Sequence, residues 1–264
     1  MARLFANAVS STVAVLIIAT SAVAVLARRR CRLVPIPPYD VFVINLDRAT
    51  TRLDRFKQSY RTCDISLRHD MIRFPAVDGR RLTLPEHLTE KALLEVLRAE
   101  RQGHRTKHYQ LTRGGVGCYL SHVRLWQSVL DTDKDAALIF EDDSIIDPDI
   151  GDVIDGLAVP DDTDLLLLGY FCNKCKNTTC GVIRVTQFFG LHGYLITRRG
   201  IEKILAHPDV WQIGKQIDSW LSDLARTGYI NVYATHRQHV VQDHTAPTQI
   251  QMVLKPPKGS DPWE

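Results

Sequence analysis

A chain of 264 residues, 45% apolar and 24% charged, is long enough to bury one sizeable core without disulfide or metal staples and too apolar for general disorder. Its formal net charge is only +3, and several arginines crowd positions 28–32. No basic stripe interleaved with aromatics exists elsewhere, which excludes nucleic acid as a partner.

Residues 4–27 carry no charge and are dominated by Val, Ala, Ile and Leu. At about 1.5 Å per residue the run spans a hydrocarbon layer of about 30 Å. It also exceeds the apolar core of about 7–15 residues found in a signal peptide. Residues 1–33 are therefore expected to form an amino-terminal membrane anchor with a basic flank. Arg28, Arg29, Arg30 and Arg32 after the span outweigh Arg3 before it, which places the folded domain on the cytoplasmic face. Cys172, Cys175 and Cys180, with the sequon Asn177-Thr178-Thr179, fit instead an oxidising ER or Golgi lumen.

Pro35, Pro37 and Pro38 make residues 34–40 a stiff spacer, and a Pro-rich tail at 246–264 closes the chain after a domain at 41–245. The apolar run 41–44 predicts a buried parallel strand, followed by a polar helix at 48–60. Nucleotide-binding α/β folds open in this way, with the ligand at the strand's carboxyl end. Residues 74–79 read as a short strand or turn closing on Asp78-Gly79. Residues 85–101 read as a helix with Pro85 in its first turn, and 102–115 as a polar loop. Val116, Tyr119, Leu120, Val123 and Leu130 recur at helical spacing over 116–130. A strand at 136–140 ends in Glu141-Asp142-Asp143, and 164–171 repeats the apolar pattern. A short strand at 193–196 precedes a helix capped by Thr197. A helix at 217–227 stops at Gly228, and 230–234 is the last strand. This alternation predicts an α/β fold with a largely parallel sheet.

Three consecutive acids at the end of an apolar strand place their charge at the sheet's carboxyl edge. Along a strand, Glu141 and Asp143 face one side and Asp142 the other. Like charges in a crevice repel unless a metal ion, or an Arg or Lys, lies between them. Mg²⁺ or Mn²⁺ takes one or two carboxylates together with phosphate oxygens. For the triplet alone, a solvated turn before Pro148 is the alternative. Arg48 and Arg52, one helical turn apart, could hold a phosphate or the base and ribose of a nucleotide, although spacing alone favours an exposed helix face. A lone helical histidine such as His122 is more often structural than catalytic. His236, His239 and His244 surround Gln242 and Asp243, and His244 is the preferred candidate to complete a metal shell. The cysteine loop admits zinc with His192 as fourth ligand, a disulfide with one thiol over, or free thiols.

Several segments resemble, in order, the motifs of glycosyltransferase family 25. They are Val43-Ile44-Asn45-Leu46-Asp47-Arg48 with Arg52, Pro75-Ala76-Val77-Asp78-Gly79, and Leu111-Thr112-Arg113-Gly114-Gly115-Val116-Gly117-Cys118. Leu120-Ser121-His122 with Trp126, Leu138-Ile139-Phe140-Glu141-Asp142-Asp143, Gly193-Tyr194-Leu195-Ile196-Thr197 and Ile217-Asp218 follow. The family includes bacterial lipooligosaccharide β-galactosyltransferases and procollagen galactosyltransferases. The resemblance implies a Rossmann-like, GT-A type nucleotide-sugar transferase. Its donor would be a UDP-sugar, foremost UDP-galactose, and its acceptor a glycan or glycoprotein hydroxyl of the hydroxylysine kind. Transfer would invert the anomeric centre with Mn²⁺ or Mg²⁺ bound. Asn45, Arg48, Arg52, Asp78 and Gly79 would line the donor pocket, and Glu141 and Asp143 would hold the metal. Asp218 would be the catalytic base, with His122 and Asp142 in reserve, although an acid opening a helix is also favoured by the dipole. One departure stands out: Gly115 occupies a position where the family usually has Glu. It alone favours a second reading, a catalytically silent relative acting as a membrane-tethered adhesion or scaffold protein.

Overall fold

The computed structural model describes residues 32–245 except 85, 108, 179, 180 and 244. The anchor expected over 4–27, Pro85, Cys180, His244 and the tail from 246 lie outside the described residues. Among those described, no helix is long and apolar enough to cross a membrane. In chain order the elements are β1 Leu33–Pro35, β2 Tyr39–Asn45, α1 Thr50–Arg61, β3 Met71–Pro75, α2 Glu90–Gln102, α3 Arg113–Leu130, β4 Ala136–Glu141 and β5 Ser144–Ile146. They continue as α4 Ile150–Asp155, β6 Ala158–Pro160, β7 Leu165–Asn177, β8 Ile183–Thr197, α5 Arg198–Leu205, α6 Ile217–Thr227, β9 Val232–Ala234 and β10 Val240–Gln242.

Six strands form the central sheet in the order β3-β2-β4-β8-β7-β9, and β1–β6 and β5–β10 are separate antiparallel ribbons. Side chains alternate between two apolar layers, as the pleat requires. Phe42, Ile44, Ile139, Leu165 and Leu167 pack with residues of α2, α3, α5 and α6. Val41, Val43, Leu138, Phe140 and Leu166 pack with Phe56 and Tyr60 of α1 and with Ile150 and Ile154 of α4. Both faces being covered, these strands read as unbroken apolar runs.

The expected largely parallel sheet is corrected to a mixed one. β2 is parallel to β3 and β4, but β8 runs antiparallel to both β4 and β7. The short segments read at 164–171 and 193–196 are the bases of one long hairpin. Its polar, cysteine-bearing arms keep pairing through several register shifts, out to Asn177↔Ile183. The stretch read as a spacer is partly folded onto the domain: Leu33 pairs with Pro160, and β2 already begins at Tyr39. Pro35 is tolerated because a short edge strand needs no donor from it. The helix expected from residue 85 starts at Glu90, where Thr89 accepts from the Ala92 N–H. α3 starts at Arg113, three residues before the expected Val116, because Thr112 caps it through the Gly115 N–H. Thr197 caps the start of α5 and Gly228 stops α6, as expected. β9 is not the last strand, since β10 follows it and pairs with β5.

Candidate active site

After β3 the chain crosses to the opposite side of β2 to form β4, so β2 marks a topological switch, the position where α/β sheets open a crevice. A cleft of about 110 Å³ lies at the carboxyl ends of β2 and β4. Arg48, Arg52, Asp78, Gly79 and Arg80 line it together with Cys118, Ser121, His122 and all three acids. One wall depends on two glycines. A Cβ on Gly79 would stand 2.0 Å from the Arg113 carbonyl oxygen, and one on Gly117 would stand 2.5 Å from that of Val77. Only glycine lets the first turns of α3 press against residues 77–79. Ser121 completes the seam, accepting from the Val77 N–H at 2.8 Å and donating to the Gly117 carbonyl at 2.6 Å.

The strand alternation expected for the acids stops at Glu141, where β4 ends; Asp142 and Asp143 form the turn into β5. Asp142 and Asp143 consequently share one partner. An Arg52 Nη lies 2.5 Å from Asp142 Oδ1 and 2.8 Å from Asp143 Oδ2. Asn45 donates to Asp142 Oδ2 at 2.6 Å, and Gln242 of β10 donates to Asp143 Oδ2 at 3.1 Å. Asp143 Oδ1 is buried with no hydrogen-bond partner among the described residues. Glu141 turns instead to α3, its Oε1 lying 3.4 Å from His122 Nε2 and 3.9 Å from Cys118 Sγ. Behind His122, Tyr194 Oη sits 2.7 Å from Nδ1 and accepts from Trp126 Nε1 at 3.0 Å. The indole can only donate, so the tyrosine O–H is left for Nδ1 and the imidazole proton is assigned to Nε2, facing Glu141.

Burial is the dominant influence on all three carboxyls. It pushes Asp143 up to about 6, assisted by the charge of Glu141 and opposed by Arg52. It also raises Asp142, against the opposing effects of Arg52 and Asn45. For Glu141 the His122 hydrogen bond and the nearby charges of His122, His192 and Arg52 outweigh burial and hold the carboxyl below its usual range. Among the described residues, three neighbouring carboxyls share the guanidinium of Arg52, which leaves negative charge in excess. That excess, and the unpartnered Asp143 Oδ1, fit a divalent cation.

The remaining expected residues divide. Asn45 lies beside the triplet but is occupied: besides Asp142 it bonds the Ala49 carbonyl at 3.1 Å, and its Oδ1 accepts from Arg73 at 3.0 Å. Arg48 precedes α1 rather than lying on it, so it diverges from Arg52 and donates to Asp78 Oδ2 at 3.0 Å. The Arg80 hydrogen bonds, then that of Arg48, overcome burial and hold the Asp78 carboxyl well below the usual carboxylate range. Asp218 does not line the main cleft. It sits in the first turn of α6, where Oδ1 accepts from the Ser219 N–H at 2.6 Å and Oδ2 from Gly190 at 2.9 Å. Its charge nevertheless contributes, after burial and Glu141, to raising the Cys118 thiol. Gly115 faces the start of α6, with a built Cβ 3.9 Å from Gln216 Cγ. His239 bonds Asp147 at 3.1 Å, in a separate cluster with Asp149. Cys172 and Cys175 are joined in a disulfide on β7, which removes the zinc reading of that loop.

Sequence reasoning did not assign Cys118, Arg80, Tyr194 or Gln242 to the site. Cys118 and His122 stand four apart in a helical stretch, a signal that could have paired them. Gln242 reaches Asp143 only through the β5–β10 pairing, which no local pattern announces.

The profile described as "Glycosyltransferase family 25 (LPS biosynthesis protein)" matches residues 39–221. A "Glycosyltransferase 25 family member" of Drosophila pseudoobscura pseudoobscura is 32% identical over 108 residues, 41% of this chain and 16% of that protein. "Procollagen galactosyltransferase 2" of Homo sapiens is 34% identical over 105 residues, 39% of this chain and 15% of that protein. The chain thus matches only about one sixth of the length of either relative. Among solved structures, a crystal structure of GalNAc-T7 with UDP, GalNAc and Mn²⁺ superposes at a TM-score of 0.49 and 11% identity, covering 81% of this chain and 46% of that one.

Proposed function

Because the chain belongs to glycosyltransferase family 25, we propose that it is a metal-dependent, inverting hexosyltransferase. It moves galactose from UDP-galactose to a hydroxyl of a glycan or of a hydroxylysine-type protein acceptor. The observation that carries this reading is the unbalanced charge of residues 141–143 facing a cleft whose other wall bears Arg48 and Arg80. A divalent ion and a diphosphate complement that pattern together, and neither does alone. The relative named procollagen galactosyltransferase 2 supports galactose as the sugar and a protein as a possible kind of acceptor.

Asp143, through Oδ1, and Glu141 would hold Mn²⁺ or Mg²⁺, with His244 as a further ligand. When bound, the ion supplies Lewis-acid compensation for the charge that develops on the departing diphosphate. Arg48 and Arg80, both anchored by Asp78, bind the nucleotide's anionic portion. Arg52 and Asn45 hold Asp142 and keep the turn after β4 in one conformation. Asp218 takes the proton of the acceptor hydroxyl as the oxygen attacks the anomeric carbon from the face opposite the leaving diphosphate. Two backbone N–H bonds orient its carboxylate, and among the described residues it has no ion-pair partner. The competing bases are less available: His122 is fully buried between Tyr194 and Glu141, and Asp142 is tied to Arg52.

Tethering through residues 4–27 belongs to the same proposal. The Cys172–Cys175 disulfide favours the oxidising side of the membrane over the cytoplasmic one. The test is UDP release by the detergent-solubilised chain against a panel of UDP-sugars, with Mn²⁺ or with EDTA. Turnover of one UDP-sugar only in the presence of metal is expected. Neither turnover nor metal-dependent UDP binding across the panel overturns the transferase reading and leaves the silent relative in its place.

A further inference from the structure

We propose that Cys118, His122 and Glu141 form a second cation site in the same cleft, one for a thiophilic divalent ion of the zinc class. Cys118 and His122 lie one turn apart on α3 and so share a face, while Glu141 approaches from the end of β4. One ligand atom from each lies within 4.8 Å of the others. Zinc bond lengths of about 2.3 Å to sulfur and about 2.0–2.2 Å to nitrogen and oxygen imply tetrahedral edges of about 3.6 Å for S···O and about 3.4 Å for N···O. The corresponding separations here are 3.9 Å from Cys118 Sγ to Glu141 Oε1 and 3.4 Å from His122 Nε2 to the same oxygen. These two edges therefore lie within about 0.3 Å of the tetrahedral values, the third is below 4.8 Å, and all three residues line the cleft.

The second shell also fits. A zinc-bound imidazole has its other nitrogen held by a hydrogen bond, and His122 Nδ1 is held by Tyr194 Oη at 2.7 Å. On binding, His122 changes tautomer: the Tyr194 O–H rotates off Nδ1, Nδ1–H donates to the tyrosine oxygen, and the Nε2 lone pair faces the ion. Cys118 exchanges its thiol proton for the S–metal bond, releasing one proton to solvent for each ion bound. The oxygen-rich Asp142–Asp143 side of the cleft suits hard ions, whereas a thiolate and an imidazole select soft ones. Glu141 belongs to both sets. If the transferase reading holds, zinc therefore draws Glu141 away from the Mn²⁺ or Mg²⁺ site and acts as an inhibitor.

The direct test uses Co²⁺ as the probe on the intact chain, with no nucleotide sugar present, so its outcome does not depend on the transferase reading. A thiolate-to-cobalt charge-transfer band is expected to saturate at one ion per chain, to disappear on adding Zn²⁺, and to persist with excess Mg²⁺. Cys118→Ser should abolish the band and Asp143→Asn should retain it. Tyr194→Phe should weaken Co²⁺ binding by about 10–100-fold, the usual effect of losing an outer-shell partner. No band in the wild-type chain, or an unchanged band in Cys118→Ser, overturns the site. A measurement without substitutions guards against a variant that does not fold. Zn²⁺ should slow alkylation of Cys118, mapped by peptide mass, at least about tenfold, and equal rates with and without Zn²⁺ overturn the proposal.

Discussion

Asp164, buried, and Asp143, largely withdrawn from solvent, both lie at the ends of central strands, yet their surroundings are opposite. Asp164 is fully buried and saturated. Its Oδ1 accepts from Arg199 at 2.9 Å, and its Oδ2 accepts from Lys203 at 2.7 Å and from the Asn231 N–H at 2.8 Å. Two cations therefore serve one acid. Among the described residues around Asp143, a single guanidinium serves two aspartates, a third acid lies adjacent, and one carboxylate oxygen has no partner. A buried acid with its charge matched locks elements together: Asp164 ties α5 and the approach to β9 to the start of β7. A buried acid left unmatched destabilises the empty fold, which makes it a candidate ligand for a cation.

The largest effect that sharpens this contrast falls on activity. Asp143→Asn preserves shape but removes one negative charge, and metal-dependent UDP release should fall by about 100–1000-fold, as expected when a group binding the transition state's counter-charge is lost. Stability should respond in the reverse order. Asp164→Asn leaves Arg199 and Lys203 without their acid. Because those two side chains are partly exposed and can rehydrate, the loss should be about 2–3 kcal/mol, below that of a fully buried pair. The denaturation midpoint measures it. An Asp164→Asn chain as stable as wild type, or an Asp143→Asn chain with full metal-dependent turnover, would break the comparison.

The two aspartates were not equally legible. β2 and β4 were readable because both of their faces are buried, and the acids at 141–143 announced a charged strand end. What the turn does with those acids was not readable, because it is fixed from elsewhere. Arg52 arrives from α1 and Gln242 from a strand 99 residues away. Arg48 and Arg52 looked equivalent by spacing, but the helix starts after Arg48 and sends the two guanidiniums to different acids. The β7–β8 hairpin was hidden for a related reason. Its outer arms are polar on both faces, so no alternation marks them, and their pairing rests on backbone bonds across bulges. Asp164 itself passed as an ordinary strand-edge residue, since its partners lie 35, 39 and 67 positions away.

A smaller effect separates the two aspartates by pH. The folded-state pKa of Asp143, about 6, lies above its ordinary value of 3.8. The folded form therefore holds the proton more tightly than the unfolded chain does. The associated stability is fully present below about pH 4 and is lost as pH rises through about 6. Asp143→Asn cannot lose it. In the absence of metal, the variant should gain on wild type between pH 5 and pH 7 by on the order of 1–2 kcal/mol, read from paired denaturant melts. Saturating Mn²⁺ at pH 7 should erase that gain by stabilising the wild-type carboxylate. A difference that does not change with pH would mean that Asp143 is already charge-matched, like Asp164.

The finest distinction concerns Gln242, the neutral donor to Asp143 Oδ2. Asp164 has cations on both of its oxygens, so it does not depend on any one neutral donor. Asp143 has no such reserve. Gln242 bonds the ionised carboxylate and lowers its pKa, against burial. Gln242→Met removes that donor at similar volume, and a net hydrogen bond of about 0.5–1.5 kcal/mol corresponds to about 0.4–1 pH unit. The proton then competes more strongly with the metal. The pH at which Mn²⁺ half-restores the melting temperature should rise by that amount, while the melt at pH 5 without metal should hardly change. An unshifted midpoint would show that Gln242 supports the β5–β10 ribbon and leaves the carboxylate untouched.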